Sequence, residues 1–257
     1  TARKENSARF DLYRVDYSGK NLKRLTFGEY SHDVNVSPDG KYFITRYSNV
    51  STPDRTALVD NQGKVVRQLA DSKAADFDSY TYGKTEYLHI KSDDGLFDLP
   101  LTITYPTDFD KSKVYPVVFS IYGGPDAGTV KDIWKGTNNQ YWANEGVIQV
   151  SADHRASGHF GKQGVAYMHR NLGHWEIIDY YTIVKSQAWV AKNKVLITGH
   201  SYGGYMTCLA MTKAADVFDF GIAGAPVTSW DLYDSHYTER WMDTPQDNPE
   251  GYKAGSV

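Results

Sequence analysis

The sequence predicts an α/β fold, an incomplete and mostly parallel sheet, preceded by strands of a β-propeller blade. Three observations carry this. A turn-and-strand pattern recurs 44 residues apart in the first third of the chain. Apolar strand runs alternate with helices in the remainder. Gly199-His200-Ser201-Tyr202-Gly203 stands at a strand-to-helix junction.

Residues 1–85 read as short strands and turns. Val15-Asp16 is followed by Gly19-Lys20 and Leu25, and Val59-Asp60 by Gly63-Lys64 and Leu69, each 44 positions after its counterpart. Between the copies, Pro38-Asp39-Gly40 is a turn leading into the strand Lys41-Tyr42-Phe43-Ile44. A period of about 40–50 residues with four short strands is the spacing of propeller blades. Residues 1–85 are therefore expected to form the C-terminal part of a propeller, about one to two blades. A hairpin then leads out, with alternating strands at 86–91 and 99–105 around Asp93-Asp94-Gly95. The two aspartates read as turn residues rather than as a metal or acid pair. Gly83-Lys84-Thr85 has the ending of a phosphate-binding loop, but Asp78 occupies the upstream glycine position, which excludes a nucleotide site.

Residues 86–257 are expected to form an α/β domain. Runs at 114–121, 147–150 and 195–198 are continuous and apolar, as buried parallel strands are. A helix is expected over 176–190, with Ile177, Ile178, Tyr181, Val184 and Ala188 on its apolar stripe, and a second over 205–213. Strands that alternate with helices imply a parallel sheet covered on both faces.

Composition narrows the function classes. The 257 residues are 40% hydrophobic and 23% charged, enough apolar residues to bury a core. The net charge of −3 and the absence of a long basic run argue against a nucleic-acid partner. No apolar stretch approaches the ~18 residues that span a bilayer. Thr1-Ala2-Arg3-Lys4-Glu5-Asn6 has no apolar signal core, and the start without Met reads as part of a longer chain. The single cysteine, Cys208, excludes an internal disulfide. Asn35-Val36-Ser37 and Asn49-Val50-Ser51 match glycosylation sequons, a weak signal.

Ser201 carries the chemistry. G-x-S-x-G between a buried strand and a helix is the nucleophile elbow of α/β-hydrolases. The turn is strained, and a side chain at Gly199 or Gly203 would meet neighbouring backbone. The following helix offers amides and a positive dipole end to an oxyanion. The backbone amide of Tyr202 is the first expected oxyanion donor. The hydroxyl of Tyr122, in Tyr122-Gly123-Gly124 after an earlier strand, is the second.

These residues resemble a known family. Ile121-Tyr122-Gly123-Gly124-Pro125-Asp126, Asn171-Leu172-Gly173-His174-Trp175-Glu176 and Gly199-His200-Ser201-Tyr202-Gly203-Gly204-Tyr205 are similar to segments of prolyl oligopeptidase-type serine peptidases. The run from Ala225 to Asp234, followed by Tyr237-Thr238-Glu239-Arg240-Trp241, resembles the dipeptidyl peptidase IV branch. The resemblance implies that Ser201 is the nucleophile. It implies that Tyr122 and Tyr202 serve the oxyanion, and that Tyr202, Val227, Trp230, Tyr233 and Tyr237 line a pocket for a P1 proline. By spacing alone, Trp230, Tyr233 and Tyr237 read as one face of a helix. Two departures stand out. Ala156 occupies a usual glycine position, and the helix between Trp175 and Val195 is short for the family. The glutamate pair that binds the substrate amino terminus in the dipeptidyl branch lies on a part of the propeller absent here.

The expected activity is thus cleavage of peptides after proline or alanine near the N-terminus, through an acyl-enzyme at Ser201, with no cofactor or metal and a peptide as partner. The resemblance also allows a homodimer in the full-length protein and favours an exported one. Alternatives are an acylaminoacyl peptidase or esterase on the same fold, or a non-catalytic propeller–hydrolase interaction protein. An α/β-hydrolase triad runs Ser, Asp, His. Asp231, Asp234 and His236 follow Ser201 in that order but lie in the pocket segment. The acid and base are expected beyond residue 257, leaving the chain by itself inactive.

Overall fold

The computed structural model describes residues 1–137 and 139–257. They divide into two units, Thr1–Glu86 with Lys131–Gln140, and Tyr87–Val130 with Tyr141–Val257. The sequence reading drew one boundary, after residue 85. In the structure the later segment Lys131–Gln140 also belongs to the first unit, where Asp132 is held by Arg9 Nε (2.6 Å) and by the amide of Val50 (2.9 Å).

The first unit contains the short hairpin β1 (Tyr13–Arg14) and β2 (Lys23–Arg24). An antiparallel meander follows, β3 (Ser31–Val36), β4 (Tyr42–Asn49), β5 (Thr52–Asp60) and β6 (Val65–Asp71). Phe43, Tyr47, Ala57 and Val59 alternate along β4 and β5 and pack with Leu25. The 44-residue repeat is two copies of one turn. Gly19 donates to Asp16 O (2.8 Å) and Asp16 to Lys20 O (2.9 Å); Gly63 donates to Asp60 O (3.0 Å) and Asp60 to Lys64 O (3.0 Å). Both glycines have positive φ, which Gly adopts without steric cost. The copies close two different hairpins, β1–β2 and β5–β6.

The second unit is built on a six-stranded sheet. Its strands are β7 (Thr85–Lys91), β8 (Asp98–Thr104), β9 (Tyr115–Ser120), β10 (Ile148–Ala152), β11 (Val190–His200) and β12 (Phe220–Gly224). The spatial order is β12-β11-β9-β10-β8-β7. β10, β9, β11 and β12 are mutually parallel, and β8 runs antiparallel to β10. The helices are α1 (Gln140–Asn144), α2 (Gly161–Val165), α3 (His174–Lys185), α4 (Tyr202–Lys213), α5 (Ser235–Met242) and α6 (Pro249–Gly255). From β9 the chain steps to β10 on one side and later to β11 on the other. A crevice opens at the carboxyl ends of strands where the order reverses in this way. The core joins Leu101, Ile103, Phe119, Ile148 and Ile197 of the sheet to Tyr180, Ile183 and Leu209 of the helices.

Two helices differ from their sequence-based expectation. α3 ends at Lys185 rather than 190, and Ala188 is exposed in a bend before β11. Its buried face is Glu176, Ile177, Asp179, Tyr180, Ile183 and Val184, while Ile178 and Tyr181 lie at its margin. The inward face carries two carboxylates because each finds a buried donor. Helix α4 begins at Tyr202, one turn earlier than expected. Gly203 and Gly204 hide that turn from a propensity reading, and close packing supplies what propensity lacks.

Candidate active site

The site sits at the carboxyl ends of β9 and β11. Ser120 of β9 pairs with Thr198 of β11, and the Ile121 amide donates to Thr198 O (3.0 Å). The next residues of the two strands therefore emerge side by side, Tyr122 from one and Ser201 from the other.

Ser201 has φ 59° and ψ −118°, a conformation sparsely populated by any residue with a side chain. Its amide is held by Gly224 O of β12 (2.9 Å), and its carbonyl takes the Tyr205 amide (3.0 Å) as α4 begins. The Tyr202, Gly203 and Gly204 amides thus form the open first turn of a helix, beside the serine. A Cβ at Gly203 would lie 2.5 Å from Ile121 O, and one at Gly199 would lie 2.6 Å from both Ile121 O and Gly203 O. Only glycine lets the elbow approach β9 this closely.

Tyr122 folds its ring over Gly124, where a Cβ would stand 2.5 Å from Cε1. The loop behind it is fastened by buried polar groups. His154 Nδ1 accepts from the Ala156 amide (3.1 Å), so Nε2 carries the proton and donates to Gly123 O (2.9 Å). Asp153 accepts from the amides of Thr129 (2.8 Å) and Val130 (2.7 Å), from Thr129 Oγ1 (3.0 Å) and from His159 Nε2 (2.8 Å). Ala156 is fully buried without left-handed backbone, so the residue change there introduces no strain.

The aromatic residues come together around Tyr202. Its ring lies 6.3 Å from Tyr122, 5.3 Å from Tyr205 and 5.5 Å from Trp230. Trp230 stacks on Tyr237 at 6.2 Å, and Tyr233 meets both rings edge-on. Val227 and Tyr237 are half-buried against the same core. The three residues do not share one helix. Trp230 begins a 3-10 turn, Trp230–Leu232, and α5 starts afresh at Ser235 with Asp234 capping the Tyr237 amide (2.9 Å). Trp230 is 1% exposed, so it backs the wall that Tyr233 and Tyr237 present to solvent. Burial, with neighbouring tyrosines and Glu176 adding to it, pushes the Tyr202 and Tyr237 hydroxyls upward, which keeps them protonated donors.

The histidines are engaged elsewhere. His236 meets Arg240, His169 meets Asp243, His32 is held by Phe27 and Thr45, and His89 by Tyr87. His174 packs edge-on against Trp175, and the exposed His200 lies over Gly224. Asp231 accepts from Ser229 and Asp234 caps α5, so both carboxylates are engaged locally. Asp94 binds Arg155 Nη1 (2.7 Å) rather than pairing with Asp93.

Sequence comparison decides the lineage. The profile described as the prolyl oligopeptidase family matches residues 134–257, and that of the dipeptidyl peptidase IV N-terminal region matches residues 1–54. A probable dipeptidyl-aminopeptidase B of Arthroderma gypseum is 34% identical over the whole of this chain. The chain belongs to the prolyl oligopeptidase family. Within that family it is similar to the dipeptidyl peptidase IV-like branch. Another probable dipeptidyl-aminopeptidase B, from Aspergillus oryzae, is 33% identical over the same extent. The crystal structure of Porphyromonas gingivalis dipeptidyl peptidase 4 superposes with a TM-score of 0.88 at 32% identity, covering 99% of this chain and 37% of that one. A putative dipeptidyl aminopeptidase IV from Bacteroides ovatus gives 0.84 at 33% identity, covering 95% and 36%. The chain spans 29% of the length of the curated relatives named here. The fold is that of these relatives, propeller strands followed by a mostly parallel α/β-hydrolase sheet.

Several residues that shape the site were not singled out from sequence: Asp153, His154, Arg155, Glu176 and Asp179. The first three are consecutive polar residues directly after an apolar strand run, a signal for buried polar anchoring. Glu176 and Asp179 gave no such signal.

Proposed function

We propose that this chain is part of a serine peptidase that cleaves peptides after proline, or alanine, near their N-terminus. The observation that carries the reading is the convergence of Tyr122, Ser201 and the Tyr202–Trp230–Tyr237 aromatic wall at one strand switch point. Ser201 Oγ bonds the scissile carbonyl carbon as its proton passes to a base. The C–N bond breaks, and the amine leaves with that proton. Water then attacks the ester and frees Ser201. During both attacks the Tyr122 hydroxyl and the Tyr202 amide donate to the oxyanion. Flat aromatic faces suit a pyrrolidine ring, and Tyr237 and Val227 would close the slot.

The acid and base would be supplied from outside the described residues, since each histidine here has another partner or position. An unassisted serine hydroxyl is a weak nucleophile. The 257 residues alone are therefore expected to turn over little or no substrate. Rapid labelling of Ser201 in this chain by a fluorophosphonate probe contradicts that. For the complete protein, a glycyl-prolyl anilide is the diagnostic substrate. Preference for an N-acyl amino acid anilide or a simple ester over it would move the assignment to an acylaminoacyl peptidase or an esterase.

A further inference from the structure

Glu176 is the third residue of α3 and is completely buried. Its Oε1 accepts two hydrogen bonds, from the Gly173 amide (2.8 Å) and from the Tyr202 hydroxyl (2.6 Å). Its Oε2 has no hydrogen-bond partner among the described residues. The bond to Gly173 is ordinary helix capping, for which a solvent-facing glutamate suffices. Burying a carboxylate is costly even after relaxation. Capping alone does not offset that; a second, charge-assisted donor goes further toward doing so.

That donor belongs to the residue after Ser201. At one end Tyr202 opens α4 with its amide; at the other its hydroxyl is tied to Glu176, 26 positions earlier in the chain. Between these points its ring lies against Tyr122 and Trp230. The hydroxyl is pushed well above its ordinary pKa by burial and by Glu176, so it stays a donor across the working range.

We infer that Glu176 is a positioning residue, whose buried carboxylate fixes the Tyr202 ring as the wall between Tyr122 and Trp230. The kinetic part of the inference rests on the reading of Tyr202 as a pocket and oxyanion residue. The carboxylate touches neither substrate nor nucleophile. It acts through Tyr202, and its loss shows first in substrate binding.

The test uses the complete protein. Glu176→Gln keeps an oxygen able to accept both bonds but removes the charge, and Tyr202→Phe removes only the hydroxyl. Tyr202→Phe is expected to raise KM for a glycyl-prolyl anilide about tenfold, the loss of one charge-assisted bond, and Glu176→Gln to raise it less, since a neutral bond remains, each with a smaller change in kcat. The double variant is expected to be no worse than Tyr202→Phe alone. Unchanged KM in folded Tyr202→Phe, or single effects that multiply in the double variant, overturns the inference. Tyr202→Phe leaves the test decisive if Glu176→Gln fails to fold. A second arm is independent of activity. With 3-fluorotyrosine at position 202, the fluorine resonance is expected to shift or broaden in Glu176→Gln, and an unmoved resonance overturns the inference. If the unmutated protein ignores the anilide, the proposed function fails while the fluorine arm still decides the role of Glu176.

Discussion

The amide of Ile121 donates to the carbonyl of Thr198 across 3.0 Å, and that rung sets Tyr122 beside Ser201. The site depends on strand register. A slip of one residue between β9 and β11 would turn the side chains of one strand to the opposite face and take Tyr122 out of line with Ser201.

Tyr122→Phe removes one oxyanion donor without disturbing the ring packing over Gly124. In the complete protein it is expected to lower kcat by about 10²–10³ with little change in KM, as for loss of a donor used in the transition state. Steady-state kinetics with a glycyl-prolyl anilide check this. A KM effect with unchanged kcat would assign Tyr122 to the pocket instead.

Gly203→Ala places a methyl 2.5 Å from the backbone oxygen of Ile121, which cannot swing aside as a side chain can. A cost of at least about 1–3 kcal/mol is expected. Denaturant unfolding measures it. Fluorophosphonate labelling of the complete protein is expected to fall with it, since relief of the clash moves Ser201 away from Tyr122.

Trp230→Ala empties the space behind Tyr202 and Tyr237. A loss of about 3–5 kcal/mol is expected, seen as a lower urea midpoint, with a raised KM for proline substrates. Trp230→Phe keeps part of the packing and should fall between.

Arg155 is fully buried, paired with Asp179 through Nη2 (2.7 Å) and Nε (3.0 Å) and with Asp94 through Nη1 (2.7 Å), and roofed by Trp175 at 4.1 Å. Asp179→Asn leaves a buried cation half-compensated and is expected to cost about 3–5 kcal/mol. Asp94→Asn, with its carboxylate partly solvated, costs less. Asp94 also gives a pH signature. Burial disfavours its carboxylate, but hydrogen bonds from Ser92 and Arg155 outweigh this and hold its pKa below the usual carboxylate value. A depressed folded-state pKa means the unfolded chain takes up the proton first as pH falls. The Asp94 contribution is therefore full above the ordinary carboxylate pKa and is lost as pH drops through the lower folded value. The stability gap between the unmutated protein and Asp94→Asn should close over that interval. A gap independent of pH would refute the assignment.

Where the sequence could be read and where it could not follows from how local the causes are. Ser201, its glycines and the strand before it were legible because a nucleophile elbow is specified within a few residues. The aromatic cluster was legible as a group, but its backbone was not. Three- and four-residue spacing suggested one helix, whereas Asp234, a favoured N-cap type, restarts it at Ser235. α3 misled more deeply. A hydropathy reading puts Glu176 and Asp179 outside, and their partners Tyr202 and Arg155 lie 26 and 24 positions away, so no local pattern could reveal that they face inward. The same distance hid the return of residues 131–140 to the first unit, which hangs on Asp132 and Arg9.

The two buried carboxylates of α3 also govern how the domain can come apart. Peeling the helix away strands the guanidinium of Arg155 and the hydroxyl of Tyr202 in apolar surroundings, while leaving it half-docked strands a carboxylate. Neither partly open state has a favourable arrangement of charge. The helix should therefore stay closed until the sheet itself opens, and its amide protons should exchange as slowly as those of β9 and β11. The element that holds the elbow is thereby excluded from the local breathing that loosens surface helices.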